Sequence, residues 1–239
     1  MAYGVIFDLD GTLADTMDDI KTGVNSMLTI LGYETRAKFE LLQFINNGAR
    51  ELVRRSLPVA VQTEEFIIQS ALDIYGREYA KCYCDKTRPF PGIAEALRKL
   101  KDEGFKLGVL SNKQDEFVKT IIYKLFGDDI FDFVMGQSAL PPKPDPSSAQ
   151  MVAKEIGVKS TKCIFVGDSD VDMQTAINAG MRPVGVSWGY RSEALLTEAG
   201  AGYIAKNGEN LVEHIIEARQ IMKLEKKEKR RKKKPDGEA

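Results

Sequence analysis

Four polar clusters, each placed just after a short apolar run, constrain this chain more than any other feature. Asp8-Leu9-Asp10-Gly11-Thr12 ends the first run, Ser111-Asn112-Lys113 the second, and Gly167-Asp168-Ser169-Asp170-Val171-Asp172 the fourth. After the third run, Lys143 sits in the proline-rich stretch Pro141-Pro142-Lys143-Pro144-Asp145-Pro146. Apolar runs of this length, bounded by glycine, proline and acidic residues, read as buried strands at 3–8, 106–111, 131–135 and 162–166. Helical periodicity fills 93–103, 116–125, 147–156 and 172–179. The alternation then continues through a strand at 182–186, a helix near 192–199, a short strand at 202–205 and a last helix at 209–224. Strands alternating with such helices build right-handed βαβ units and a mostly parallel sheet. Ligands of such sheets bind outside the carboxyl ends of the strands, so the four clusters are expected in one cleft.

A second pattern interrupts the first. From Asp15 to about Cys84 apolar residues recur at helical spacing with no convincing strand, and Gly32, Asn47-Gly48 and Leu57-Pro58 punctuate the segment. The expected organisation is an α/β core from 1–14 and 86–222, an all-helical insertion at 15–85 directly after the first strand, and a tail at 223–239. That tail carries nine basic and four acidic residues, so the near-neutral total of 34 Lys+Arg and 35 Asp+Glu conceals an acidic body. It reads as a solvated run fraying from the last helix into disorder, with a polybasic patch for nucleic acid or anionic lipid as the less favoured reading.

Composition removes several function classes. Hydrophobic residues at 43% beside 29% charged describe a folded globular chain. No apolar stretch approaches the ~18 residues of a membrane span, and the first residues lack a signal-peptide pattern. Three cysteines without metal-site spacing read as incidental thiols of a reduced, cytoplasmic chain. The single histidine, His214, lies in a helical pattern away from every polar cluster. Carboxylates and lysine must then carry any chemistry.

Asp8, Asp10, Asp168 and Asp172 gathered without cations would repel one another strongly. A hard divalent cation relieves this, and an all-oxygen donor set with few carboxylates suits Mg²⁺ better than Zn²⁺. Carboxylates, Mg²⁺, one fixed ammonium and Ser/Asn donors together complement a phosphoryl group, whose transition state spreads negative charge over its equatorial oxygens. With no Ser–His pair available, a covalent route would need an Asp nucleophile.

In order and spacing, Asp8-Leu9-Asp10-Gly11-Thr12-Leu13, Ser111-Asn112-Lys113, Lys143-Pro144-Asp145-Pro146 and Gly167-Asp168-Ser169-x-x-Asp172 resemble the four motifs of haloacid dehalogenase-like phosphatases. The resemblance spans Met1 to about Met222 and includes the helical cap. It implies a Rossmann-like core and the following roles: Asp8 as nucleophile and metal ligand, Asp10 as general acid/base with its carbonyl on the metal, and Lys143 neutralising the phosphoaspartate. Ser111 and Asn112, with Thr12, would contact phosphate. Asp168 would bind Mg²⁺, and Asp172 would orient the metal's waters or Lys143. An Asp at position 10 favours phosphate-ester hydrolysis over dehalogenation, and Thr12 leans away from the sugar-phosphate mutases.

The cap segment around Gly48 and Arg50, with Val186-Ser-Trp-Gly-Tyr190, further resembles phosphoglycolate phosphatases. That resemblance implies a small phosphorylated acid as substrate, its carboxylate held by Arg50. Pyrophosphatase, nucleotidase and mutase remain as alternatives within the family, and a non-catalytic scaffold as one outside it. Among other residues, Trp188 is expected to pack beside the cleft. Asp18 and Asp19 read as helix N-terminal charges, and Asp15 as a cap of the first inserted helix or a hinge marker.

Overall fold

The computed structural model describes residues 2–231. The chain begins with β1 (Gly4–Phe7) and β2 (Ala14–Asp15), then helices α1 (Met17–Ile30), α2 (Lys38–Leu41), α3 (Gly48–Ser56) and α4 (Glu65–Ala80). It returns through β3 (Arg88–Pro89) and α5 (Ile93–Asp102) to β4 (Lys106–Gln114), α6 (Asp115–Phe126), β5 (Phe133–Gln137) and α7 (Pro146–Glu155). It ends with β6 (Cys163–Gly167), α8 (Asp170–Asn178), β7 (Arg182–Val186), α9 (Glu193–Glu198), β8 (Tyr203–Ala205) and α10 (Gly208–Arg231).

Six strands form one sheet in the order β5-β4-β1-β6-β7-β8, each adjacent pair parallel. The fold is the expected α/β class, a Rossmann-like core with an all-helical cap inserted after the first strand. Alternation along the central strand explains the layering. Val5 and Phe7 face one side, where α5, α6 and α10 supply Leu97, Ile121 and Ile215. Ile6 faces the other, against Val152 of α7 and Ala176 of α8. Covered on both faces, the central strands are continuous apolar runs rather than alternating ones.

The inserted helices bury their own cluster, including Val24, Leu28, Leu41, Val53, Ile68 and Tyr79. Where the insertion leaves and rejoins the core, β2 and β3 pair antiparallel, Ala14 with Pro89 and Asp15 with Arg88, a ribbon too short to be legible as strand. Asp19 ties the two crossings together. Its carboxylate accepts from Lys86 N (3.0 Å), Thr87 N (2.8 Å) and Thr87 Oγ1 (2.7 Å), and the residue is 1% exposed. The dipole reading of the Asp18-Asp19 pair therefore covers only part of it: Asp18 is partly exposed and pairs with Lys38, whereas Asp19 is a buried clamp. Asp15 does open the first inserted helix, accepting from Met17 N, and also takes the Tyr190 hydroxyl.

The last helix departs from expectation as well. It runs on to Arg231, so the basic stretch is helical through that residue, while 232–239 lie outside the described residues. Lys, Glu and Arg are good helix formers, and cations suit a helix C-terminus. The extension is also docked, since Glu225 pairs with Arg182 at the start of β7. His214 packs against Tyr203 (ring centroids 4.9 Å apart). Cys82, Cys84 and Cys163 are free thiols. Among the described residues no helix is long and apolar enough to cross a membrane.

Replacing Asp19 by Ala leaves the Lys86 and Thr87 amide N–H groups without their acceptor in the hinge, and the Thr87 hydroxyl with only the Tyr83 carbonyl at 3.3 Å. Urea unfolding of Asp19→Ala should show a loss of about 2–4 kcal/mol relative to the parent chain.

Candidate active site

The chemistry converges where β1, β4 and β6 end. After β1 the backbone turns tightly: the Leu9 carbonyl accepts from the N–H groups of Leu13 (3.0 Å) and Ala14 (3.1 Å). Gly11 permits the turn, since its φ is +85° and a Cβ there would lie 2.3 Å from Asp168 Oδ2. Gly189 is equally constrained, a Cβ there falling 2.2 Å from Asp168 Cβ. Glycine at both positions lets two loops close directly over the Asp168 carboxylate.

Asp8, Asp168 and Asp172 offer carboxylate oxygens within 4.8 Å of one another, all buried. Lys143, 4% exposed, enters between them from the proline-rich loop. Its Nζ lies 2.6 Å from Asp172 Oδ1 and 2.8 Å from Asp8 Oδ1. Only the Asp172 contact is an aligned hydrogen bond; Asp8 Oδ1 is left without a hydrogen-bond partner. Asp172 sits in the first turn of α8, which starts two residues earlier than the periodicity predicts. There it shares a capping box with Ser169, whose hydroxyl donates to Asp172 Oδ2 at 2.6 Å.

One ammonium cannot balance three buried carboxylates. Burial, reinforced by the Asp172 and Asp10 carboxylates and only partly offset by Lys143, pushes the Asp8 carboxyl up to about 7. Burial, with Asp172 and Asp8 beside it, likewise raises Asp168 well above the ordinary carboxylate range. For Lys143, burial works against the charge, but the Asp172 and Asp8 carboxylates outweigh it and raise the ammonium above its usual value. An excess of buried negative charge and an oxygen-only donor set fit a hard divalent cation.

Asp10 faces the same cleft but has partners of its own. Lys113 Nζ is 2.6 and 2.8 Å from its two oxygens, and the Thr16 hydroxyl donates to Oδ1 at 2.5 Å. Neither partner was assigned a role from the sequence. Lys113 could have been found, because it adjoins Ser111-Asn112 at a strand end; nothing local marks Thr16. Ser111, Asn112 and Lys113 lie within an irregular extension of β4, not after it.

The remaining assigned residues divide. Ser111 lines the cleft beside Asp8, Asp10 and Lys143. Asn112 also borders it, but its side chain is occupied: Oδ1 accepts from Lys143 N (2.8 Å), and Nδ2 donates to the Lys143 (3.1 Å) and Asn46 (3.0 Å) carbonyls. Only its backbone remains for phosphate. The Thr12 hydroxyl is turned to Asp168 Oδ1 (3.2 Å) and holds that carboxylate instead of facing the cleft. Arg50 does not reach the site at all. It is half exposed on α3, where its Nη2 alone donates to both carboxylate oxygens of Glu65 on α4, at 2.6 and 2.5 Å. A guanidinium takes the nearest carboxylate that matches its geometry, here one on a neighbouring cap helix. Trp188 packs against Phe90 and donates to the Thr12 carbonyl (3.0 Å), bracing the turn after β1. Arg191 donates to the Leu42 and Ile45 carbonyls, joining the loop after β7 to the cap.

The family model for haloacid dehalogenase-like hydrolases matches residues 5–186. The phosphoglycolate phosphatase of Pseudomonas syringae pv. tomato is 35% identical over 190 residues, covering 78% of this chain and 70% of its own. Phosphoglycolate phosphatase 1 of Pseudomonas aeruginosa is 32% identical over 222 residues, covering 91% and 81%. A crystal structure from Lactobacillus delbrueckii subsp. bulgaricus superposes with a TM-score of 0.83 at 32% identity, covering 90% of this chain and 99% of that one.

The raised Asp8 and Asp168 carboxyls generate a pH signature. Their protonated forms are favoured in the fold, so the metal-free protein binds more protons than its unfolded chain from about pH 4 to about pH 7 and loses stability as pH rises through that window. A divalent cation held by these carboxylates would offset the loss. Thermal melts should show a metal-induced rise in Tm that is larger near pH 8 than near pH 5.

Proposed function

The chain belongs to the haloacid dehalogenase-like hydrolase family, and on that premise we propose that it is a Mg²⁺-dependent phosphatase of small phosphate monoesters, 2-phosphoglycolate foremost. The observation that carries the chemistry is Lys143 set among the buried carboxylates of Asp8, Asp168 and Asp172. The substrate rests on the two phosphoglycolate phosphatases at 35% and 32% identity. Keeping such a cluster buried without a ligand is costly, which argues against a scaffold that merely retains the fold.

Asp8 and Asp168 would hold Mg²⁺, which when bound neutralises their charge and that of the phosphoryl oxygens. Asp172, whose two oxygens already accept from Lys143 and Ser169, keeps the ammonium in position. In the first half-reaction an Asp8 oxygen attacks phosphorus, and the bond from phosphorus to the ester oxygen breaks. For this step Asp10 must carry a proton on Oδ2 in place of the Lys113 contact there, and it gives that proton to the departing oxygen, so the alcohol leaves neutral. The Lys143 ammonium and the Ser111 hydroxyl meet the charge on the phosphoryl oxygens. In the second half Asp10 takes a proton from water as that water attacks phosphorus. The bond to Asp8 breaks, releasing inorganic phosphate and restoring the carboxylate. Thr16 and Lys113 fix Asp10 on the leaving-group side throughout.

Phosphate release from 2-phosphoglycolate with Mg²⁺ should be stopped by a chelator, and Asp8→Asn should reduce kcat roughly 10³-fold or more. Hydrolysis that persists in either case would sink the mechanism. Because Arg50 is engaged with Glu65 outside the cleft, Arg50→Ala should alter kcat/KM for 2-phosphoglycolate by less than about twofold, as expected for an exposed ion pair. A larger loss would return Arg50 to substrate binding.

A further inference from the structure

We infer that Tyr79 and Asn46 of the cap, together with Lys113 of the core, form a leaving-group subsite that selects a carboxylate borne on the alcohol being released. This deepens the proposed function and rests on it. Tyr79 is 1% exposed and lines the cleft, yet its hydroxyl has no hydrogen-bond partner. Asn46 lines the same cleft, and its Nδ2 is buried and equally unpartnered. Buried polar groups in folded proteins are nearly always paired, so two orphans bordering one cavity point to a partner that arrives from outside. Lys113 lines the same cleft, its Nζ 5.3 Å from the Tyr79 ring centroid and in contact with Asp10. Asp10 is the group proposed to protonate the departing oxygen, so this wall is the one the alcohol faces.

The chemistry of the wall narrows the ligand. Lys113 can only donate, and so can the Asn46 NH₂ group. Burial raises the Tyr79 hydroxyl well above its ordinary range, so it stays protonated and able to donate. Ile20, Ile45, Leu52 and Phe117 supply apolar surface to the same cleft, which Gln114 and Tyr75 also line. A sugar or other polyol would bring no negative charge to meet the Lys113 ammonium. A carboxylate on a short carbon chain brings acceptors alone, and it carries the charge that an ammonium favours.

Two substitutions remove a donor while keeping its surroundings. Tyr79→Phe retains the ring, which stacks on Tyr75 at 5.4 Å and meets Phe117 edge-on at 5.2 Å. Asn46→Gly retains a backbone φ of +83° and the carbonyl that Asn112 uses. Each variant is assayed beside the parent chain on 2-phosphoglycolate and ethyl phosphate, which differ in whether the carbon chain ends in a carboxylate or a methyl. The ratio of kcat/KM for the two should fall by about tenfold in each variant, chiefly through the KM for 2-phosphoglycolate, consistent with one lost charge-assisted hydrogen bond. Tyr79→Phe should melt no lower than the parent, because the hydroxyl it loses is unpaired. Variants that leave the ratio where it was, or a fall that comes only with a lowered Tm, overturn the subsite while the phosphatase reading stands. A parent chain that hydrolyses neither ester overturns both.

Discussion

Lys143 is the fulcrum of this molecule. A single ammonium among three buried carboxylates ties together parts of the chain that lie far apart in sequence: the turn after β1, the proline-rich loop and the first turn of α8. The sheet order puts β1 between β4 and β6, so all of these segments end at one edge. The same imbalance that burdens the free fold leaves a site too negative for its own side chains, and so suited to a hard cation.

A ring of small constraints keeps that cluster in register. Gly11 and Gly189 clear space over Asp168, Thr12 and the Tyr190 backbone hold its two oxygens, and Ser169 holds Asp172. Asn112 does the wider work: it fixes the backbone of Lys143 and, through the Asn46 carbonyl, fastens the cap to the core. One side chain thus both links the cap to the core and places the backbone of Lys143.

Much of this was legible because the relevant signals are local. A strand followed by Asp8-x-Asp10-Gly11, or a glycine before Asp168, carries its geometry in a few residues, and the alternation of periods gives the sheet. What stayed hidden depends on partners far along the chain. Arg50 looked like a substrate ligand until Glu65, fifteen positions on, proved to be its neighbour. Asn112 and Thr12 looked like phosphate contacts, but hydrogen bonds to Lys143, Asn46 and Asp168 use their side chains. Asp19 resembled a helix-dipole charge because no local pattern announces a clamp onto residues 86 and 87. The last helix outran its apolar stripe because charged residues with high helical propensity extend a helix without burying it.

The ribbon of β2 and β3 has a wider meaning. Pairing Ala14 with Pro89 and Asp15 with Arg88 sets the two ends of the insertion about one strand spacing apart, ~5 Å. Viewed from the sheet, the seventy-odd residues between them amount to the tip of a hairpin. The closure entropy of such a loop grows only slowly with its length, so the core is nearly indifferent to what is spliced in at that point. The edge of the sheet where Asp8, Lys143 and Asp168 meet can therefore keep its geometry whatever length of chain closes the ribbon.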